Sequence, residues 1–97
     1  MKTVEELKKI LSKHKQELHE KFNVKTIGIF GSYVRSEQKD GSDVDILVEF
    51  TEPIGFFRFL ELEEHIQNLL GLKVDLVSKK ALKPRIGRYI LAEVVEV

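Results

Sequence analysis

The chain has 97 residues with 16 Lys and Arg against 16 Asp and Glu, so its formal net charge at pH 7 is zero, and its length accommodates one domain, expected over residues 1–97. At 42% apolar and 33% charged it has enough Phe, Ile, Leu and Val to build a core, while neutrality argues against a protein that coats nucleic acid, since counterion release needs an excess of cations; direct nucleic-acid binding is not expected. The absence of cysteine excludes disulfide scaffolds, thiolate nucleophiles and Cys-ligated zinc, and no apolar run approaches the roughly 20 residues that span a bilayer.

The first residues, MKTVEELKKILSKHK, are charged throughout and lack a signal-peptide core, so a cytoplasmic protein is expected. Thr3 and Glu6 have the spacing of a capping box. Val4, Leu7, Ile10, Leu11, His14 and Leu18 then recur at helical spacing, predicting an amphipathic helix that ends near Asn23. Val24 to Phe30 is β-branched and aromatic and stops at Gly31-Ser32, which reads as a buried strand. A short helical stretch through Val34 and Arg35 leads to the Asp40-Gly41 turn signal. A second strand is predicted over Asp43 to Phe50, closed by Thr51-Glu52-Pro53. A long helix follows from Ile54 to Leu70, with Gly71 as its left-handed cap. Leu72 to Val77 reads as a third strand. Pro84 fits the first position of a final helix whose apolar stripe is Ile86, Ile90 and Val94. The order α-β-α-β-α-β-α describes an α/β fold, a small mixed sheet covered by helices.

The candidate chemistry begins at Ser42-Asp43-Val44-Asp45. Alternation along a strand puts Asp43 and Asp45 on one face, with Cα atoms about 6.5 Å apart. Such neighbours repel and raise each other's pKa, and a hard divalent cation would relieve them; a loop entering a strand is the plainer explanation. Gly31-Ser32, where a strand opens into a helical turn, presents backbone N–H groups and a hydroxyl suited to a phosphate, or forms an ordinary capped turn. Arg35, one turn on, either braces that phosphate or pairs with a carboxylate. Asp75 interrupts the apolar run Lys73-Val74-Asp75-Leu76-Val77 and needs either a partner or a solvated strand face. If the strands pair, Asp75 reaches the end of the sheet that carries Asp43 and Asp45. Three converging carboxylates beside a phosphate-binding turn are what two-metal phosphoryl or nucleotidyl transfer requires.

Gly31-Ser32, Arg35, Ser42-Asp43-Val44-Asp45 and Asp75 together resemble the signature of the nucleotidyltransferase (DNA polymerase beta-like) superfamily, and the length resembles its minimal branch, the MNT antitoxins. The resemblance runs from the strand before Gly31 to the closing helix. Val34 and Ser36 stand where the family often has Ala and Gly in Gly-Ser-x-Ala-Arg-Gly. The resemblance implies that Asp43, Asp45 and Asp75 hold Mg²⁺, with Asp75 also helping to deprotonate an acceptor hydroxyl. It implies that Gly31 and Ser32, with Arg35 beside them, receive the outer phosphates of ATP. It further implies a helical HEPN-type toxin as partner, neutralised by transfer of AMP to a tyrosine hydroxyl. The rival readings are a non-catalytic module that blocks its partner sterically, and nucleotidyl transfer to a small molecule or an RNA end.

Other residues carry less. His14, His19 and His65 have no metal-binding spacing and read as helix-surface residues. Phe56, Phe57 and Phe59 read mainly as packing, with Phe57 also able to form a partner surface or stack on adenine. Lys79, Lys80, Lys83, Arg85 and Arg88 make a basic stretch that is either a solvated face or a contact for triphosphate or an acidic partner.

Overall fold

A computed structural model describes residues 2–97. Helix α1 (Val4–Phe22) is started by Thr3, whose hydroxyl accepts from the Glu6 amide at 3.3 Å, and is ended by Asn23 in a left-handed conformation. Leu7, Leu11, Leu18 and Phe22 form its buried stripe. Strand β1 (Val24–Phe30) follows directly, then a single 3-10 turn over Gly31–Tyr33, then strand β2 (Val44–Phe50). Helix α2 (Phe56–Leu70) ends at Gly71, which is left-handed as expected, and leads to β3 (Val74–Ser78). A 3-10 turn over Lys79–Ala81 precedes α3 (Pro84–Glu93), which begins at the expected proline, and the chain ends in β4 (Val95–Glu96).

The four strands form one mixed sheet in the order β3-β2-β1-β4. β2 is antiparallel to β1 and parallel to β3, which requires the crossover that α2 provides. One face carries Ile27, Ile29, Val44, Ile46, Val48, Val74 and Leu76, buried against Leu7, Leu11 and Leu18 of α1 and Leu62, Ile66 and Leu70 of α2. This is the core. The expected α/β architecture is therefore present, and Val44, Ile46 and Val48 face the helices as their alternation requires.

Three local differences separate the structure from the sequence expectation. The stretch after Gly31 makes only one 3-10 turn, because Ser36 takes a left-handed conformation (φ 57°) that breaks any helix there. The final helix stops at Glu93 instead of continuing through Val94, because the last residues pair with β1 as β4, Val95 opposite Ile29 and Glu96 opposite Gly28. Its stripe is also incompletely covered, with Ile86 59% exposed. The three histidines lie on helices: His14 and His65 both meet the Glu17 carboxylate, at 3.4 and 2.7 Å, and the His65 contact ties α2 to α1. Among the described residues no helix is long and apolar enough to cross a membrane.

Gly28 is what lets β4 lie against β1. A Cβ there would come within 2.6 Å of Val94 Cγ2 and 3.1 Å of the Val95 carbonyl. Gly28→Ala is therefore expected to cost about 1–3 kcal/mol by overpacking. It should also speed amide exchange at Val97, whose N–H is bonded to the Ile27 carbonyl at 2.9 Å, while the α1 amides keep their relative protection. Unchanged exchange at Val97 would contradict this account of β4.

Candidate active site

The sheet face opposite the core is where the polar residues gather. In the parallel β2–β3 pair Asp45 stands directly opposite Asp75, so both side chains project from the same face. Neighbouring strands lie about 4.8 Å apart, which sets the spacing of these two residues. Asp43 precedes β2 by one residue, two positions from Asp45, and continues the same alternation. The structure thus brings the three aspartates to one end of the sheet. Asp45 is half-buried, whereas Asp43 and Asp75 are exposed. Burial, reinforced by the charges of Asp75 and then Asp43, pushes the Asp45 carboxyl above its ordinary pKa.

On the other side of β2, Asp45 is opposite Phe30, the last residue of β1. The next residue is Gly31, with φ of 80°, and the place of its missing side chain is filled by the Asp45 carboxylate. A Cβ built on Gly31 would lie 2.9 Å from Asp45 Cγ and still nearer to a carboxylate oxygen. Glycine is needed here for two independent reasons, the backbone angle and the carboxylate. Tyr33 and Val34 anchor the turn by packing into the core.

The Gly31 N–H is not free. It donates to Glu93 Oε2 at 2.8 Å, and the other oxygen of that carboxylate accepts from the Arg35 guanidinium at 2.6 Å. Arg35 also donates to Glu37 at 2.7 Å. Of the two roles open to Arg35, pairing with carboxylates is the one this structure displays. The Gly31 amide, and then Arg35, hold the Glu93 carboxyl below its usual pKa. Ser32 is half-buried, and its hydroxyl has no hydrogen-bond partner among the described residues. The family's glycine position at Ser36 also acquires a reason, since this residue is left-handed.

Of these groups Gly31, Arg35, Asp45 and Glu93 line an open cleft of roughly 500 Å³ between the glycine turn and α3, walled also by Phe30, Ile86, Tyr89 and Ile90. From α3 the sequence singles out Arg85 and Arg88 as a candidate contact for triphosphate, whereas the α3 residues that line the cleft are Ile86, Tyr89, Ile90 and Glu93. Among these the one legible signal is Glu93 itself, an acidic residue in the last turn of a helix, where the macrodipole disfavours negative charge and a cationic or N–H partner is to be sought. A second, mostly apolar groove lies by Glu49, Phe50, Ile54, Phe56, Phe59 and Lys79. It sits at the far end of β2, about 16 Å along the strand from Asp45 at normal rise. Phe57 belongs to that end, stacks edge-on against Phe56 at 5.6 Å, and does not line the cleft. Lys79 is there too, within 3.8 Å of Glu49.

Among the described residues no three His, Asp or Glu side chains converge closely enough to enclose a metal ion by themselves. That arrangement still suits Mg²⁺, which keeps several waters and commonly takes one or two carboxylates plus substrate phosphates. The donor set fits: hard oxygens on one face, with Asp45 already disfavoured as an anion by burial and then by its acidic neighbours.

The raised Asp45 pKa carries a consequence for stability. The folded state holds this proton more tightly than the unfolded chain, so its stabilising contribution is full below the ordinary Asp value of about 3.9 and is lost as pH rises through the folded pKa. In chelator-containing buffer, Asp45→Asn is expected to raise the thermal unfolding midpoint at neutral pH. The gain should shrink as the pH is lowered toward the ordinary carboxylate range. A variant no more stable than wild type at pH 7 would contradict the electrostatic reading.

Residues 11–97 match the model of the nucleotidyltransferase domain family. The chain is 56% identical over 97 residues to the protein adenylyltransferase MntA of Thermococcus cleftensis, covering 100% of this chain and 98% of that protein. Its structure superposes on a solved minimal nucleotidyltransferase with TM-score 0.76 and 28% identity, covering 99% of this chain and 97% of the other. It also shares its fold with the MNT antitoxin in a complex with the tri-AMPylated Shewanella oneidensis HEPN toxin, at TM-score 0.68 and 20% identity, covering 93% of this chain and 70% of that one. The order of elements, the glycine turn against Asp45 and these likenesses lead to one conclusion: the chain belongs to the nucleotidyltransferase domain family, in its minimal branch, and is a nucleotidyltransferase.

Proposed function

We propose that this nucleotidyltransferase transfers AMP from ATP to a tyrosine hydroxyl of a helical HEPN-type toxin, in the cytoplasm, and so acts as the antitoxin of the pair. The observation that carries the reading is the register of Asp45 with Asp75 on the open face, beside a glycine turn whose missing side chain makes room for the Asp45 carboxylate. The relative MntA is named a protein adenylyltransferase, and the Shewanella neighbour is an MNT antitoxin held with an AMPylated HEPN toxin; both support the donor, the acceptor class and the partner.

Asp43, Asp45 and Asp75 would hold Mg²⁺, which when bound supplies charge neutralisation to the triphosphate and to the departing pyrophosphate. Ser32 offers its unpartnered hydroxyl to an outer phosphate, and Gly31 supplies bare backbone beside it. Arg35 stands next to the same turn and contributes positive potential. The exposed Asp75 carboxylate accepts the proton of the incoming tyrosine hydroxyl. The tyrosine oxygen then forms a bond to the α-phosphorus, the bond to the bridging oxygen of the β-phosphate breaks, and pyrophosphate leaves. Asp45 is the wall of the cleft nearest the glycine turn and aligns the triphosphate between that turn and the metal ligands. The acceptor comes from the partner, which the solvent-facing position of Asp75 accommodates.

The test is to incubate the protein with ATP, Mg²⁺ and its HEPN-type partner and to weigh the partner intact. The expected result is a gain of one or more adenylyl groups on tyrosine. Asp43→Asn combined with Asp45→Asn should abolish the gain, a loss of at least about a thousandfold if the metal site is destroyed. Folded components that give no mass gain would contradict the reading, and antitoxicity that survives the double substitution would point to steric blocking.

A further inference from the structure

Every charged group in the cleft has a place in the transfer chemistry except Glu93. This carboxylate belongs to the last residue of α3, where the helix dipole disfavours it, yet it is largely covered, with 24% of its side chain exposed. Two donors compensate it. The Gly31 N–H meets one oxygen at 2.8 Å and the Arg35 guanidinium meets the other at 2.6 Å. Both bonds are charge-assisted, the stronger class of hydrogen bond.

Gly31 is thereby fixed from two sides. The Asp45 carboxylate fills the place of its missing Cβ, and Glu93 holds its N–H. Glu93 is itself fixed from two sides. It ends α3 and immediately precedes the Val94–Val95 segment that brings β4 onto β1. The bond from Glu93 to Gly31 therefore closes a ring from β1 through the turn and α3 back to β1. Ile86 and Tyr89, exposed apolar and aromatic residues of the cleft wall, are carried on this same short helix.

We propose that Glu93 is a positioning residue of the nucleotide site: its one carboxylate holds the Gly31 amide and Arg35 together and sets where the glycine turn stands against Asp45. The ligand of that site rests on the nucleotide reading above. With Glu93 in place, the turn meets the phosphates through Ser32, and the Gly31 amide serves the structure of the turn. Without it, Gly31, Arg35 and α3 lose their common anchor, and ATP meets a site that must be ordered on binding.

The test compares wild type, Glu93→Gln and Glu93→Ala by amide NMR without nucleotide, and by calorimetric titration with a non-hydrolysable ATP analogue and Mg²⁺. In Glu93→Ala the Gly31 amide resonance should move upfield and exchange faster. In Glu93→Gln, whose amide oxygen still accepts from Gly31, it should stay near the wild-type position. Affinity for the analogue should fall on the order of tenfold in Glu93→Ala and by less in Glu93→Gln, a rescue that a general loss of packing would not follow. A Gly31 resonance unmoved in Glu93→Ala would overturn the proposal. So would affinity equal to wild type, and so would tighter binding, which would make Glu93 a competitor of phosphate for the same donors. Should Glu93→Ala fail to fold, Glu93→Gln decides alone: weaker binding with the Gly31 resonance retained supports the role, and wild-type or tighter binding overturns it. A wild type that binds no analogue overturns the nucleotide reading and this role with it, whereas a wild type that binds as its variants do overturns only the role of Glu93.

Discussion

The site depends on a place where a side chain is missing. The Asp45 carboxylate occupies the space that a Cβ on Gly31 would need, and the backbone angle of Gly31 is one that other residues adopt only at a cost. From this contact the geometry of the site follows outward. Gly31 lines the cleft and is followed directly by Ser32, and Tyr33 and Val34 tie the turn into the core. Asp45 in turn fixes Asp75 through the strand register. The Asp45 carboxylate and the backbone of the glycine turn can then lie in direct contact, which a side chain on residue 31 would prevent.

The sheet divides the labour of its two faces. The helix-covered face holds the apolar core, with Ile46 and Val48 fully buried. The other face, against which the short α3 packs, carries the acidic residues. Burial, reinforced by the nearby charges of Asp75 and Asp43, disfavours the charged form of Asp45 and raises its pKa. A structure of this size tolerates such a cluster because two of the three carboxylates remain in solvent and the core lies on the far side of the strand. Zero net charge over the chain thus coexists with a strongly acidic sheet end and with a basic stretch from Lys79 to Arg88.

Much of this was legible in the sequence because the governing signals are local. Period-2 alternation put Asp43 and Asp45 on one face, and Gly-Ser at a strand end marked the turn. Thr3, Gly71 and Pro84 marked helix ends where the structure has them. The pairing of Asp45 with Asp75 was anticipated only as a possibility of strand pairing, since register between distant strands is a tertiary property. What escaped depends on the same kind of long-range contact. Glu93 meets Gly31 across 62 positions of sequence, and β4 is too short to carry an alternation of its own. The brevity of the turn after Gly31 was hidden because a left-handed serine leaves no mark comparable to glycine. Phe57 was ambiguous for the opposite reason: its type suits base stacking, and only the fold puts it at the wrong end of β2.

The central claim is that the aspartate end of the sheet, beside the glycine turn, is where a nucleotide triphosphate and its metal ion bind. Crystals of the protein grown with a non-hydrolysable ATP analogue and Mn²⁺ test it directly, because anomalous scattering locates the ion without reference to the protein's activity. The expected map has the ion on Asp43 and Asp45, with the outer phosphates reaching Ser32. An ion bound away from these aspartates, or a nucleotide seated in the apolar groove by Phe50 and Phe56, would contradict it.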